Sequence, residues 1–444
     1  MTDFWSPDHL AHLTGGTWLS QPRGDAPPVP TSSITGLWHD TRQLQPGDAY
    51  LALPGNRVDG HTLLPQAADA GASCAIITQK PTLSERGPAP PLPCLLVTDA
   101  IEALHALALA YRNHLAQHQA TVIAVSGSNG KTTTRHLIHH VLTAAGLPGS
   151  QAPASFNNHL GVPLTLLRAK PTDRFVALEL GTNYPGEINQ LAALARPDIS
   201  VIPSLGEEHL EAFTDLAGVV REEAAVLPHV RPNGTILTTP DAGQLLAEHY
   251  DVQEGVGMTS VNPDHFTLPK DFPLPGEHNR SNAALALALA RLFDIPPDTA
   301  QHALSTFTPA PHRSHLRRIG PITLMDDCYN ANPSSMLAAL DLFMQTPPTR
   351  SPDTRRVAIL GEMRELGESS EHHHRAIAHL AHVAAHLAIL LGDAFAFDPA
   401  HQPFDPDAIT AQLQPGDHIL LKASRGLRLE RLIPALEARF ARDS

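Results

Sequence analysis

The stretch VIAVSGSNGKTTTRHLIHHVL, residues 122–142, sets Lys131 and Thr132 behind a loop punctuated by Gly127 and Gly130. The apolar run at 122–125 reads as a buried strand, and Leu137, Ile138, Val141 and Leu142 share one face of a following helix. Between strand and helix, the two glycines let the backbone curl. The N–H groups of Ser126, Gly127, Ser128, Asn129 and Gly130 can then face an anion at the helix N-terminus. Lys131 is spaced to reach the β- and γ-phosphates of a nucleotide, and the Thr132 hydroxyl to take a Mg²⁺ position. The strict phosphate-loop pattern has a glycine six residues before the lysine, where this chain has Val125. An ordinary glycine-rich turn would also look like this, but strand, loop, Lys-Thr and helix in order favour phosphate binding.

Further polar residues follow apolar runs, where open α/β sheets place their ligands. Glu179 lies near the end of FVALEL, and His209 follows ISVIP in SLGEEHLEAF. A carboxylate and an imidazole converging on a phosphate loop would suit a second Mg²⁺, although each alone could be structural. DDCYNANPSSM, residues 326–336, reads equally as a turn with a helix cap and as a hydrogen-bonding rim for a nucleotide sugar or substrate. The run EHHHRAIAHLAHVAAH spaces His379, His382 and His386 helically. It lacks an HExxH pattern and alternates with alanines, so a solvated helix face is expected rather than a zinc site.

The elements that must position these residues alternate along the chain. Short strands at 48–53 and 74–78 lie among Pro-rich loops at 22–30 and 81–93, and a helical pattern runs from residue 100 to 114. Strands at 121–126, 175–180, 199–203 and 235–239, separated by helices, predict a mostly parallel sheet, closed by a small-residue helix at 282–293. ITLMDD, a helix from Ser334, RVAILG, the histidine helix, HLAILL, HILLK and a helix from Arg425 predict a second, Rossmann-like α/β unit. The expected division is 1–117, 118–309 and 310–444.

Composition bounds the partners. A hydrophobic fraction of 42% suits globular packing, and a formal charge of −14 with no basic stripe argues against nucleic acid. The 3 cysteines show no paired spacing, and neither a basic, apolar leader nor a membrane span is evident, so a cytoplasmic protein is expected.

Taken together, these motifs resemble the Mur ligases, the ATP-dependent amide-bond-forming enzymes of peptidoglycan precursor synthesis. HDTRQLQPGDAYLALPGNRVDGH looks like the family's N-terminal UDP-sugar domain, VSGSNGKTTT like its phosphate loop and GEHNRSNAALA like its adenine-side asparagine motif. NNHLGVPLTLL, ELGTNYPGEINQL, DDCYNANPSSM, GEMRELGESSEHHH and LLKASRG resemble the branch that adds D-alanyl-D-alanine, and no Asp-Asn-Pro-Arg tetrapeptide of the preceding step is present.

The resemblance implies a three-domain α/β fold: a small N-terminal UDP-sugar domain, a central phosphate-loop domain with a parallel sheet, and a C-terminal Rossmann-like domain. It implies ATP and Mg²⁺ as cofactors, UDP-MurNAc-tripeptide and D-Ala-D-Ala as substrates, and a monomer. Lys131, Glu179 and His209 would be catalytic, with Thr132, Glu179 and His209 holding metal. Asn279 would meet adenine, Arg313 the phosphates and Asp327 the ribose. Thr41, Arg42, Asn158 and Thr165 would face the UDP-peptide, and Asn330, Asn332, Ser424 and Arg425 the peptide or dipeptide. In one place the chain departs from the pattern. Where most Mur ligases carry a lysine that carbon dioxide carbamylates, this chain has Glu223, with Glu222 beside it, and Glu223 could supply the metal's carboxylate directly. Two rivals remain at this stage: a folylpolyglutamate-synthase-like ligase, against which the N-terminal region argues, and a catalytically dead nucleotide-binding partner of a cell-wall complex.

Overall fold

The computed structural model describes residues 4–19, 29–30, 34–55, 57–80, 91–346 and 354–441. The expected Pro-rich loops at 22–30 and 81–93 lie largely outside them. Three sheets carry the chain. The first contains β1 (Thr17–Trp18), β2 (Leu37–Trp38), β3 (Ala49–Leu51), β4 (Cys74–Ile77) and β5 (Cys94–Leu96) in the order β1-β5-β4-β3-β2. Only the β1–β5 pairing in it is antiparallel. The second contains β6 (Thr121–Val125), β7 (Gly149–Gln151), β8 (Phe175–Glu179), β9 (Ile199–Ile202), β10 (Thr235–Thr238) and β11 (Gly257–Ser260) in the order β11-β10-β9-β6-β8-β7. The third contains β12 (His315–Ile319), β13 (Ile322–Asp326), β14 (Arg356–Gly361), β15 (Leu387–Leu391), β16 (His401–Gln402) and β17 (His418–Lys422) in the order β12-β13-β17-β14-β15-β16. There β12 runs antiparallel to β13, and the other pairings are parallel.

The strands predicted from continuous apolar runs are the buried ones: β8, β9 and β17 show no exposed residue. The pattern missed β7, β11 and β12, which are partly or wholly exposed edge strands, paired on one side. Their side chains carry no continuous apolar signal to find. The helix expected from Arg425 begins only at Ile433, after two 3₁₀ turns, Arg425–Leu427 and Leu429–Leu432. Arg428 sits between those turns in the left-handed conformation, φ 52°, which interrupts a helix, and Pro434 suits the first turn of the one that follows.

Packing divides the chain into two compact units, one of Met1–Ala124, Leu147–Leu180 and Gln190–Asp198, the other of Val125–Gly146, Gly181–Asn189 and Ile199–Ser444. Within the first, Asp99 caps the helix Ala100–Gln117 by accepting from Ile101 and Glu102 N–H groups. The buried Arg112 of that helix donates to the carbonyls of Ala195 and Arg196 and to the Asp198 carboxylate. Within the second, the alanine-rich helix Glu277–Leu292 packs on the helix Lys131–Ala144, its small side chains permitting close approach. No helix of the described residues is long and apolar enough to cross a membrane.

Candidate active site

The phosphate loop leaves β6 and enters the helix Lys131–Ala144 through two positions that only glycine accepts easily. Gly127 has φ 103° and Gly130 φ 81°; a Cβ would sit 2.6 Å from the Ser204 carbonyl oxygen at the first and 2.6 Å from Asn282 Oδ1 at the second. Gly130 is the N-cap of that helix and brings no side chain to its free amides, which leaves them facing outward as an anion site. The loop is pinned from one side by the segment after β9: Ser128 N–H donates to Ser204 O, Asn129 N–H to Ser204 Oγ, and Ser128 Oγ to Gly206 O. Ser126 Oγ is buried without a hydrogen-bond partner.

Lys131 Nζ folds back onto the Gly127 and Ser128 carbonyls and lies 3.8 Å from Glu208 Oε2. Thr132, in the first turn, is buried. Two carboxylates close the underside. Glu223 is fully buried; its Oε2 accepts from Gly127 N–H at 2.6 Å, and its Oε1 has no partner. Burial pushes the Glu223 carboxyl up to about 7 against the pull of Lys131. Glu208, also buried, leaves Oε1 without a partner, and burial likewise raises its pKa. Motif reading missed Glu208; its signal was two acidic residues directly before His209. The neighbouring Glu222 is spent differently, accepting from Gly186 and Ile188 N–H groups and from the Thr182 hydroxyl.

His209 takes φ 47°, an uncommon backbone state for a side chain of its size. Its Nδ1 lies 2.5 Å from Glu365 Oε2, while Nε2 is 4.0 Å from Glu208. Burial works to lower its pKa, but Glu365 and Glu208 hold it above the ordinary value. An imidazole oriented at one nitrogen by a carboxylate keeps the other for a ligand. Asn183, Glu208, His209, Asn330, Asn332 and Arg364 are among the residues lining a cavity of about 220 Å³, which also reaches Ser424 and Arg425.

The segment after β13 serves both readings of DDCYNANPSSM. Asn332 caps the helix Pro333–Gln345 in a reciprocal capping box with Ser335, and its Nδ2 donates to Asn129 Oδ1 of the phosphate loop. Asp327 accepts from Lys422 Nζ at 2.5 Å and from Ser314 N–H at 2.9 Å. Arg313 lies over the Tyr329 ring at 4.0 Å, with Arg425 at 5.6 Å from the same ring. Asn330 Oδ1 accepts from Arg425 N–H, and Ser424 Oγ accepts from Arg364 N–H. Asn279 is buried, donates to Pro275 O and accepts from Asn282.

The first unit holds the remaining candidates. Glu179 is buried at the end of β8 and accepts from Asn157 Nδ2 at 3.1 Å. Thr41 and Arg42 follow Asp40, which grips the exposed Arg42 guanidinium at 2.7 and 2.9 Å. Asn158 Oδ1 accepts from Leu160 and Gly161 N–H groups. Thr165 is buried and its hydroxyl donates to Gly161 O within its own helix, so that hydrogen is not offered to a ligand. Trp38, stacked on Phe156 at 5.8 Å and covered by Arg168 at 4.4 Å, keeps a buried indole N–H without a partner, a feature no motif announced.

The sequence agrees with the geometry across three domain patterns. The Mur ligase family, catalytic domain pattern matches residues 33–112, the Mur ligase middle domain 125–253, and the Mur ligase, glutamate ligase domain 312–425. The chain is 31% identical over 465 residues to the UDP-N-acetylmuramoyl-tripeptide–D-alanyl-D-alanine ligase of Bacillus subtilis, covering 96% of this chain and 97% of that protein. The chain belongs to the Mur ligase family. Its similarity to the Escherichia coli enzyme of the same name is 30% over 454 residues, 91% of this chain and 94% of the relative. Among solved structures, MurF from Acinetobacter baumannii superposes with a TM-score of 0.81 at 26% identity, covering 98% of this chain and 99% of that one.

Proposed function

We propose that this Mur ligase joins D-alanyl-D-alanine to UDP-MurNAc-tripeptide at the expense of ATP. The name shared by its near-full-length relatives supports the reading. The observation in the fold that carries it is the glycine-built phosphate loop with Lys131, Glu208 and Glu223 gathered beneath it. A carboxylate is a poor acyl donor. Attack of the tripeptide's terminal carboxylate oxygen on the γ-phosphorus of ATP expels ADP and leaves an acyl phosphate. The amine of D-Ala-D-Ala then attacks the acyl carbon and phosphate departs. Such chemistry asks the protein mainly to position groups and neutralise charge. Lys131, drawn off its resting carbonyls, would bind the transferred phosphoryl group, and the amides of residues 130–132 at the helix N-terminus would hold the phosphates.

The donor set fits magnesium: Glu208 and Glu223 each present a buried carboxylate oxygen without a partner, hard ligands of the kind Mg²⁺ takes. Thr132 and His209, with Glu179 by resemblance, would complete its ligands, and the bound ion would neutralise phosphate charge. Asn279 would meet adenine and Asp327, with Lys422 behind it, the ribose; Arg313 would contact phosphate. Thr41, Arg42, Asn158 and Thr165 are proposed for the UDP-peptide, and Asn330, Asn332, Ser424 and Arg425, on the cavity near His209, for the peptide or dipeptide. Phosphate release should require UDP-MurNAc-tripeptide, D-Ala-D-Ala and Mg²⁺ together, with the pentapeptide product found by mass spectrometry. Release driven instead by a folate and glutamate, or none with any substrate, would overturn the assignment.

A further inference from the structure

The proposed reaction leaves one cluster unused. His312, Asp326 and Cys328 meet where β13 ends. His312 Nδ1 lies 2.9 Å from Asp326 Oδ2 and 3.7 Å from Cys328 Sγ, and Sγ lies 3.0 Å from Asp326 Oδ1. Among the described residues these are the side chains whose donor atoms gather closely enough, within 4.8 Å of one another, to hold a metal ion. Tetrahedral zinc, with bonds of about 2.3 Å to sulfur and about 2.0–2.1 Å to nitrogen or oxygen, separates its ligand atoms by roughly 3.3–3.6 Å. Taken through the one oxygen Asp326 Oδ1, the separations are 3.0, 3.2 and 3.7 Å, which bracket that range, so shifts of a few tenths of an ångström would seat the ion.

Two further observations point the same way. Glu430 accepts from Arg425 Nη1 through Oε1 and keeps its buried Oε2 without a hydrogen-bond partner among the described residues. His312 holds φ 62°, and its carbonyl accepts from Tyr329 N–H, so the backbone is turned to bring the imidazole against β13. An ordinary ion pair with a thiol hydrogen bond accounts for Asp326. It does not account for the buried Cys328 sulfur lying near both His312 Nδ1 and Asp326 Oδ1, the arrangement that one ion bound by all three would use.

We propose that His312, Asp326 and Cys328 form a site for zinc or a similar thiophilic divalent cation, with the fourth position left to solvent. The sulfur donor excludes magnesium as its natural occupant. Binding replaces the thiol proton, which passes to solvent, with a sulfur–metal bond. The ion takes no part in bond making. It ties the turn bearing Arg313 to the segment bearing Asp327, whose carboxylate already accepts from Ser314 N–H.

Cobalt(II) titration of the metal-stripped full-length protein tests this, because thiolate-to-cobalt charge transfer gives a near-ultraviolet band that histidine or carboxylate sites lack. We expect one equivalent of cobalt to develop the band together with tetrahedral visible absorption, and zinc to displace it stoichiometrically. Cys328→Ser and His312→Ala should each abolish the band while circular dichroism confirms folding, and Cys74→Ser should keep it. Zinc should raise the Tm of the wild type and not of the two variants. Cobalt binding without a thiolate band, as the histidine-rich helix could give, would overturn the proposal. So would a band that survives in Cys328→Ser, or no binding by the folded wild type.

Discussion

The helix Ser370–Ala384 and the floor of the phosphate loop are both crowded with reactive side-chain types, yet they differ in how those groups are satisfied. On the helix His379 and His382 are exposed, as is His386 just beyond its end; His382 pairs with Asp398 at 3.0 Å, and His386 accepts from Arg356 N–H. The buried His374 accepts from Met363 N–H through Nε2 and meets Ser370 O through Nδ1, so both ring nitrogens are engaged. Beneath the phosphate loop, by contrast, Ser126, Glu208 and Glu223 each bury an oxygen that no described residue satisfies. Burying such a group costs free energy that a well-packed interior would normally avoid. Unsatisfied oxygens gathered around one phosphate loop, rather than abundance of histidine, mark the site here.

The comparison breaks most sharply at Lys131. Lys131→Ala should lower turnover on the order of 10²–10³-fold, as deletion of one preorganised electrostatic contact does. Near-normal kcat in a folded variant would remove the loop from the chemistry. Glu223→Ala should raise the Mg²⁺ concentration needed for half-maximal activity by on the order of 10–100-fold, in the range seen when a metal site loses a supporting group. Bicarbonate depletion should leave the wild type unaffected, since Glu223 brings its carboxylate without carbamylation. Wild-type Mg²⁺ dependence in the variant would return Glu223 to a purely structural role.

Stability measurements sharpen the other side. His418, buried on β17 with neither ring nitrogen bonded, has its pKa lowered to about 4 by burial and the nearby Arg356. Above its ordinary value near 6.5 it is neutral in both folded and unfolded chains and contributes no pH dependence. As pH falls from there towards 4, only the unfolded chain takes up the proton, and the fold loses up to about 3 kcal/mol. Urea titrations at pH 7 and pH 4.5 should show this acid loss, and His418→Leu should shrink it. His374→Ala leaves Met363 N–H buried without its acceptor and should cost about 1–3 kcal/mol with little change in KM. His379→Ala, at an exposed position, should shift neither Tm nor turnover; a measurable loss of activity there would restore the histidine helix as a functional candidate.

Much of this was legible from sequence because it is local. The phosphate loop needs a strand, two glycines, Lys131 and Thr132 within one short segment, and backbone geometry follows from those residue types alone. Apolar runs long enough to be buried on both faces announced β6, β8, β9 and β17. Edge strands such as β11 and β12 carry polar faces, so their pairing was invisible until their neighbours were in place. Glu208 and Lys422 became candidates only when packing set them against Lys131 and Asp327. The equal choice left open for the Asn-Pro segment also needed the fold, since Asn332 both caps a helix and reaches Asn129, 203 positions away in the chain. The order of elements and the chemistry of the loop were thus determined by sequence, where contacts are near neighbours. Which carboxylates lie buried without partners, and which thiol meets which imidazole, was decided by tertiary structure, because burial is a property of the residues that surround a group and not of the group itself.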